Sequence, residues 1–332
     1  MSDDLGRLVS GFHVSQAIHA AVELGIPDFL AEDERAADDL AQASGSDPAT
    51  LYRLLRALAS LGVLHEADGR RFSLAPLGQP LRGDVPGSLR GWVKLIGRDH
   101  VWRSWGNLAT AVRDGENSFR ALYGTDLFDW RSEHPEESAI FDDAMKSLTS
   151  ISNDAILAAY GFGRFGTIVD IGGGTGALLA SVLAAHPETR GILFDQAHVV
   201  TGAEPVLHAA GVLDRCEVVA GSFFSAVPAG GDAYLMKSII HDWEDEESVQ
   251  ILRVCRTAMP PGAVLVLVER DLGPPNENPA AKLSDLNMLV MPGGRERTNE
   301  EYAELFRRAG LRHSTTTLAA TGHALIEAVG AD

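Results

Sequence analysis

The stretch VDIGGGTGAL, Val169–Leu178, constrains this chain more than any other. A short apolar run containing Asp170 leads into Gly172, Gly173, Gly174 and Gly176, and a helix-forming run follows at once. Glycine loses more conformational freedom on ordering than any other residue. A cluster of four is therefore best explained by a backbone that must approach a ligand closely. A loop that ends a strand and opens a helix is where an open α/β sheet binds nucleotides.

The surrounding texture agrees. From about residue 165 short β-rich runs alternate with helical segments: TIVDIG, GILFDQ, CEVVAGS, AYLMKSII and AVLVLVER. Such alternation implies a parallel sheet with helical crossovers. The N-terminal half reads differently. Leu8, Phe12, Ile18, Ala21, Val22 and Leu24 recur at helical spacing over residues 5–31, with a stop and restart at Gly25 and Pro27. A helix apolar around so much of its girth must bury more than one face, and a dimer interface is one solution. Residues 36–82 form a winged-helix pattern: two helices around a Gly turn, the second opened by Pro48, then two short strands around Asp68-Gly69. Residues 88–160 read as aromatic-rich helices, one starting at His134-Pro135. The chain thus divides into a helical, winged-helix domain, 1–155, and a Rossmann-like α/β domain, 156–332.

Composition narrows the partners. With 28 Lys and Arg against 46 Asp and Glu, the formal charge is −18. The winged helix offers only Arg53, Arg56, Arg70 and Arg71 as cations. Phosphate backbones are bound by clustered Lys and Arg, so no nucleic-acid partner is expected. Neither a signal-peptide run nor a stretch approaching about 18 apolar residues occurs, which predicts a cytoplasmic protein with no membrane partner. Cys216 and Cys255 lie in apolar segments and read as small buried hydrophobes in a reducing compartment.

The glycine spacing selects among ligands. The dinucleotide fingerprint is GxGxxG, whereas here Gly172, Gly174 and Gly176 follow one another at every second position. A pyrophosphate cradle is poorly specified, and S-adenosylmethionine (SAM) suits a GxG loop preceded by an acid. Asp195 ends the second strand and can accept hydrogen bonds from both ribose hydroxyls. NAD would use the same acid, so Asp195 does not discriminate.

Candidate catalytic groups lie at the ends of later strands. Of eleven histidines, His241 follows the strand AYLMKSII and so stands at the carboxyl edge of the sheet, where ligands bind. Asp242 is placed to cap the next helix. Glu269 ends the strand VLVLVE at the same edge. Glu296 lies in GGRERT, ahead of a helix capped by Thr298 with Glu301 three residues on. Asp285 and Asn287 do not assemble three metal ligands at a recognisable spacing, which predicts metal-independent chemistry. Asn287, Met288 and Met291, with Trp102, are candidate walls for a flat aromatic ligand.

Taken together, VDIGGGTGAL, LMKSIIHDWEDEE, VLVLVER and DLNMLVMPGGRERTNEEYAELFRRAGL resemble, in order and spacing, the class I SAM-dependent O-methyltransferases of phenolic natural products. That family includes plant caffeate and flavonoid enzymes and bacterial enzymes of aromatic polyketide and phenazine biosynthesis. The resemblance covers nearly the whole chain. It implies SAM-dependent methylation of a phenolic hydroxyl, with His241 as general base flanked by Glu269 and Glu296. It implies Gly172 and Gly174 along the methionine end of the cofactor, Asp195 on the ribose, Phe223 on the adenine face and Lys237 near the cofactor. Relatives often carry an acid at the position of Ser222, so this chain departs there. Thr149, Phe141 and Met145 match positions on a helix that covers cofactor and substrate. Relatives are homodimers through the N-terminal part. The competing readings are N- or C-methylation on the same scaffold, a winged-helix ligand-sensing regulator and an NAD enzyme.

Overall fold

The computed structural model describes residues 2–331. Two compact units emerge: Met1–Arg103 with Arg131–Leu148, and Ser104–Trp130 with Thr149–Asp332. This division differs from a single cut at 155/156. Residues 104–130 join the second unit because Asn117 Nδ2 donates to the Leu289 and Met291 carbonyls, and Trp105 Nε1 donates to Asn287. Within the helix Pro135–Ala159, Asn153 already bonds the Ala177 carbonyl of that unit.

The first unit begins with helices Ser2–Val9, Gly11–Glu23 and Ile26–Phe29, the last restarting after Gly25 in the left-handed region. Three short strands follow the order β1-β3-β2: β1 (Arg35–Ala36), β2 (Leu64–Ala67) and β3 (Arg71–Leu74). Helices Ala37–Ser44 and Pro48–Ser60 precede the hairpin, completing the winged helix, and Asp47 caps the second by accepting from Thr50 N. Ile26, Leu40, Leu55, Leu58 and Phe72 form its closed core. Leu5, Leu8, Val9 and Phe12 stay 63%, 79%, 69% and 51% exposed, an apolar stripe that is largely open in the single chain. The cations of the winged helix stay exposed, but three of them are already partnered: Arg56 and Arg70 stack on the Tyr52 ring, and Arg71 pairs with Glu34.

The second unit is built on seven strands: β4 (Thr167–Ile171), β5 (Arg190–Asp195), β6 (Cys216–Ala220), β7 (Ala233–Lys237), β8 (Val264–Arg270), β9 (Leu311–Leu318) and β10 (His323–Gly330). Their order is β6-β5-β4-β7-β8-β10-β9. The five expected strands are parallel, while β10 inserts antiparallel between β8 and β9. That closing hairpin has no counterpart in the sequence reading, since its outer strand LRHSTTTL is polar and half-exposed. Alternation along the strands serves two cores. Val169, Ile171, Tyr234, Met236, Leu265 and Leu267 face helices Asp245–Ala258 and Asn299–Arg308. Ile168, Leu193, Leu235, Val266 and Val268 face Ala177–Ala185 and the end of Pro135–Ala159. The strand order reverses between β4 and β7, and a crevice at their carboxyl ends is the general ligand site of such sheets. No helix among the described residues is long and apolar enough to cross a membrane.

Leu267 is fully buried in β8 whereas Leu61 is 41% exposed. Denaturant unfolding is therefore expected to show a loss of about 2–5 kcal/mol for Leu267→Ala and within about 0.5 kcal/mol for Leu61→Ala.

Candidate active site

The glycine loop sits where β4 passes into the helix Ala177–Ala185. Gly172, Gly174 and Gly176 all hold positive φ, at 68°, 62° and 83°. Their surroundings differ. A Cβ on Gly172 would stand 2.4 Å from Ile239 Cδ1, while a Cβ on Gly174 would meet open space. Gly172 is thus required by packing, and Gly174 borders a volume left clear of protein. Asp195, at the end of β5, draws the loop in: its Oδ2 accepts from Gly174 N at 2.8 Å and its Oδ1 from Gln196 N at 2.6 Å. Burial raises its pKa, against the pull of those two amides.

Asp170, read in sequence only as the acid before the glycines, is fully buried and lies beneath the loop. A Cβ on Gly173 would approach its Oδ2 to 2.6 Å, and that oxygen has no hydrogen-bond partner. Burial, helped by Asp195, pushes its pKa up to about 7. Beyond the loop, Gln196, Ala197, His198, Ala220, Gly221 and Ser222 line a groove at the ends of β5 and β6. Phe223 follows Ser222, with its ring 5.1 Å from Phe224 and 6.0 Å from Trp243. Lys237 ends β7, 3.5 Å from Thr149 Oγ1. Burial lowers its pKa, opposed by Glu269 and Asp170.

His241 lies in the single turn Ile240–Asp242 that follows β7. Its Nδ1 is 3.2 Å from Glu269 Oε2 and 3.4 Å from Glu296 Oε2, and both carboxyls are buried. Each carboxylate is anchored through its other oxygen. Glu269 Oε1 accepts from the Ile239 and Ile240 amides at 3.1 and 2.8 Å, and Glu296 Oε1 accepts from Ser284 Oγ at 2.7 Å. Asp285 Oδ1 in turn accepts from Glu296 N. Desolvation disfavours a charged imidazole here, but Glu269, Asp242 and Glu296 outweigh it and lift the His241 pKa to about 10. Burial raises Glu269 to about 7, whereas Glu296 is lowered, with burial resisted by His241 and Ser284. In the ligand-free site His241 is partly buried, and its Nδ1 faces two acids that favour the charged ring. Its Nε2 is the nitrogen turned away from them, 3.5 Å from Asp242 Oδ1. The three donor atoms also lie within 4.8 Å of one another, a spacing one metal ion could span.

One sequence expectation changes. Asp242 does not cap the following helix. Glu244 does, in a reciprocal box with Glu247, because the turn at 240–242 delays the helix to Asp245. Arg295 and Arg297 both reach Asp245. The Thr298–Glu301 box forms. Asn287 Oδ1 accepts from Trp105 Nε1 at 3.2 Å, and Met288 and Met291 are buried. Trp102, Phe141 and Met145 belong to the first unit. There Arg131 stacks 3.5 Å over the Phe141 ring, and Trp102 lies edge-on to Phe12 with its indole nitrogen unpartnered.

Comparison with known proteins agrees with this architecture. Residues 105–312 match the O-methyltransferase domain model, and residues 7–82 match the O-methyltransferase dimerisation domain model. The chain belongs to the O-methyltransferase family. A phenazine O-methyltransferase of Lysobacter antibioticus is 39% identical over 99% of this chain and 96% of its own length. An 8-amino-8-demethylriboflavin N,N-dimethyltransferase of Streptomyces davaonensis is 38% identical over 90% and 86%. The crystal structure of LaPhzM superposes with a TM-score of 0.95 at 38% identity, covering 99% of each chain. That of NcsB1, from neocarzinostatin biosynthesis, in complex with SAM and 2-hydroxy-5-methyl naphthoic acid, gives 0.80 at 31% identity over 96% of each. This O-methyltransferase uses S-adenosylmethionine.

The two glycines give a direct contrast. Gly172→Ala and Gly174→Ala each incur left-handed backbone strain of about 1–2 kcal/mol, but only Gly172→Ala also meets Ile239. Thermal melts are expected to show the larger loss for Gly172→Ala. Equal losses would contradict the clear volume beside Gly174.

Proposed function

We propose that this O-methyltransferase methylates the phenolic hydroxyl of an aromatic small molecule, with His241 as general base and no metal requirement. One observation carries the reading: the His241 Nδ1 lies 3.2 and 3.4 Å from two buried carboxylates, with Nε2 on the other side of the ring for the acceptor's proton. Glu269 and Glu296 fix the ring's tautomer and stabilise its charged form. SAM supplies a methyl group already activated on a sulfonium, so the chain must position the acceptor and remove its proton. A phenol titrates near about 10, which makes a positioned base useful at neutral pH.

The crevice fits the cofactor. Gly172 and Gly174 would border its methionine end, Asp195 its ribose and Ser222 its adenine, with Phe223 against the ring. The orphaned Asp170 Oδ2, with Lys237 and Thr149, would meet its amino-acid portion. Asn287, Met288 and Met291 remain proposed acceptor contacts within the second unit, and Trp102, Phe141 and Met145 remain proposals of the first. The NcsB1 complex with a hydroxynaphthoic acid supports an aromatic acceptor. The N,N-dimethyltransferase relative keeps N-methylation as the second reading. The exposed Leu5, Leu8, Val9 and Phe12 and the dimerisation-domain match support a homodimer. The formal charge of −18 and the pairing of Arg56, Arg70 and Arg71 within the chain support the absence of a nucleic-acid partner.

The test is methyl transfer from SAM to a panel of phenols, naphthols, phenazines and hydroxyquinones after exhaustive chelation, followed by product mass and position of the methyl group. An O-methylated product is expected, with His241→Asn slowing it by about 10²–10⁴-fold. An N- or C-methylated product, an unaffected His241→Asn variant, or restoration of activity only by added metal would each overturn its part of the proposal. For the dimer, Leu8→Glu with Phe12→Glu is expected to halve the mass seen by light scattering; an unchanged mass would contradict it.

A further inference from the structure

The loop carrying His241 and the loop carrying Glu296 are fastened together by a residue that is neither. Gly294 holds φ +65°, and a Cβ there would lie 2.3 Å from the His241 carbonyl oxygen and 2.5 Å from Trp243 N. The two backbones therefore touch where no side chain fits. Three residues on, Arg297 is fully buried. Its Nη1 donates to the Ile240 carbonyl at 3.1 Å and the Arg295 carbonyl at 3.2 Å. Its Nη2 donates to the Trp243 carbonyl at 2.8 Å, to Asp245 Oδ1 at 2.9 Å and to Ser248 Oγ at 3.5 Å. Its Nε donates to Asp245 Oδ1 at 3.1 Å. The Ile240 and Trp243 carbonyls lie on either side of His241 in the chain. A buried charge is tolerated when it is paired and fully hydrogen-bonded, and here each guanidinium nitrogen is engaged.

We propose that Arg297 is a positioning residue for methyl transfer: by gripping the Ile240 and Trp243 carbonyls it sets the His241 ring against Glu296, its own neighbour in sequence. The mechanistic value of this grip rests on the reading of His241 as the base. Lysine cannot replace it, because a compact ammonium lacks the planar five-donor fork. A neutral side chain would leave buried carbonyls unpaired, with the full desolvation cost of each.

The experiment follows the His241 ring by ¹⁵N NMR in the S-adenosylhomocysteine complex, wild type against Arg297→Lys, with the signal assigned by its loss in His241→Asn. Calorimetric binding of S-adenosylhomocysteine and a thermal melt control for integrity. Arg297→Lys is expected to lower the apparent His241 pKa by about one unit or more, a tenfold change in that equilibrium, while cofactor affinity changes less than about threefold. On any acceptor found active, the same variant is expected to slow single-turnover transfer in wild type but not further in the His241→Asn background, since residues acting through one another are non-additive. An unmoved His241 titration, or equal losses in both backgrounds, overturns the proposal. Should Arg297→Lys fail to fold, Asp245→Asn loosens the same guanidinium and must move the His241 titration in the same direction; if it does not, the proposal falls. Failure of the base reading is seen separately, as full turnover by His241→Asn.

Discussion

A histidine ring set within 3.4 Å of two buried carboxyls makes demands on everything around it. Taking charges out of water is costly unless they are paired and hydrogen-bonded. Here the cost is met by geometry. The Ile239 and Ile240 amides hold Glu269, Ser284 holds Glu296, and each acid is left with one oxygen toward His241 Nδ1. The donors lie in the segment after β7 and in the helix Pro279–Val290, and the acids they hold lie at the end of β8 and in the loop after Gly294. Sheet order, helix placement and loop conformation therefore converge on one ring.

The same edge of the sheet builds the neighbouring crevice from a different chemistry. Backbone does most of it: positive-φ glycines at 172 and 174, with Asp195 tying Gly174 inward. Asp170 lies beneath the loop as a buried acid whose ionisation is deferred to about pH 7. A sulfonium and an amino group brought into this crevice would favour its charged form, and would oppose the proton on His241.

Much of this was legible in the sequence because it is local. Strand ends mark the carboxyl edge, so His241 and Glu269 could be placed there from AYLMKSII and VLVLVE alone, and the structure brings both to Glu296. The Thr298–Glu301 box is written in four residues. What escaped is non-local or lacks a letter. Arg297 binds carbonyls 54 and 57 residues away, and a carbonyl has no sequence signature. Asp242 carries cap chemistry, yet the turn at Ile240–Asp242 shifts the helix start to a glutamate pair. The β9–β10 hairpin hides in a polar, half-exposed strand. Asp170 looked like a mere preface to the glycines, and only its burial gives it weight.

The measurement that bears most directly on the central claim is the pH dependence of single-turnover methyl transfer in wild type and Glu296→Gln. His241 sits at about 10 in the ligand-free site, above its ordinary 6.5, because the surrounding acids outweigh burial. The base must be neutral to act, so the rate is predicted to rise with pH along one limb. Removing the Glu296 charge weakens the imidazolium, which moves that limb to lower pH while lowering the plateau. Coincident limbs in the two proteins would mean that the titrating base is not the ring held between Glu269 and Glu296, and would contradict the account.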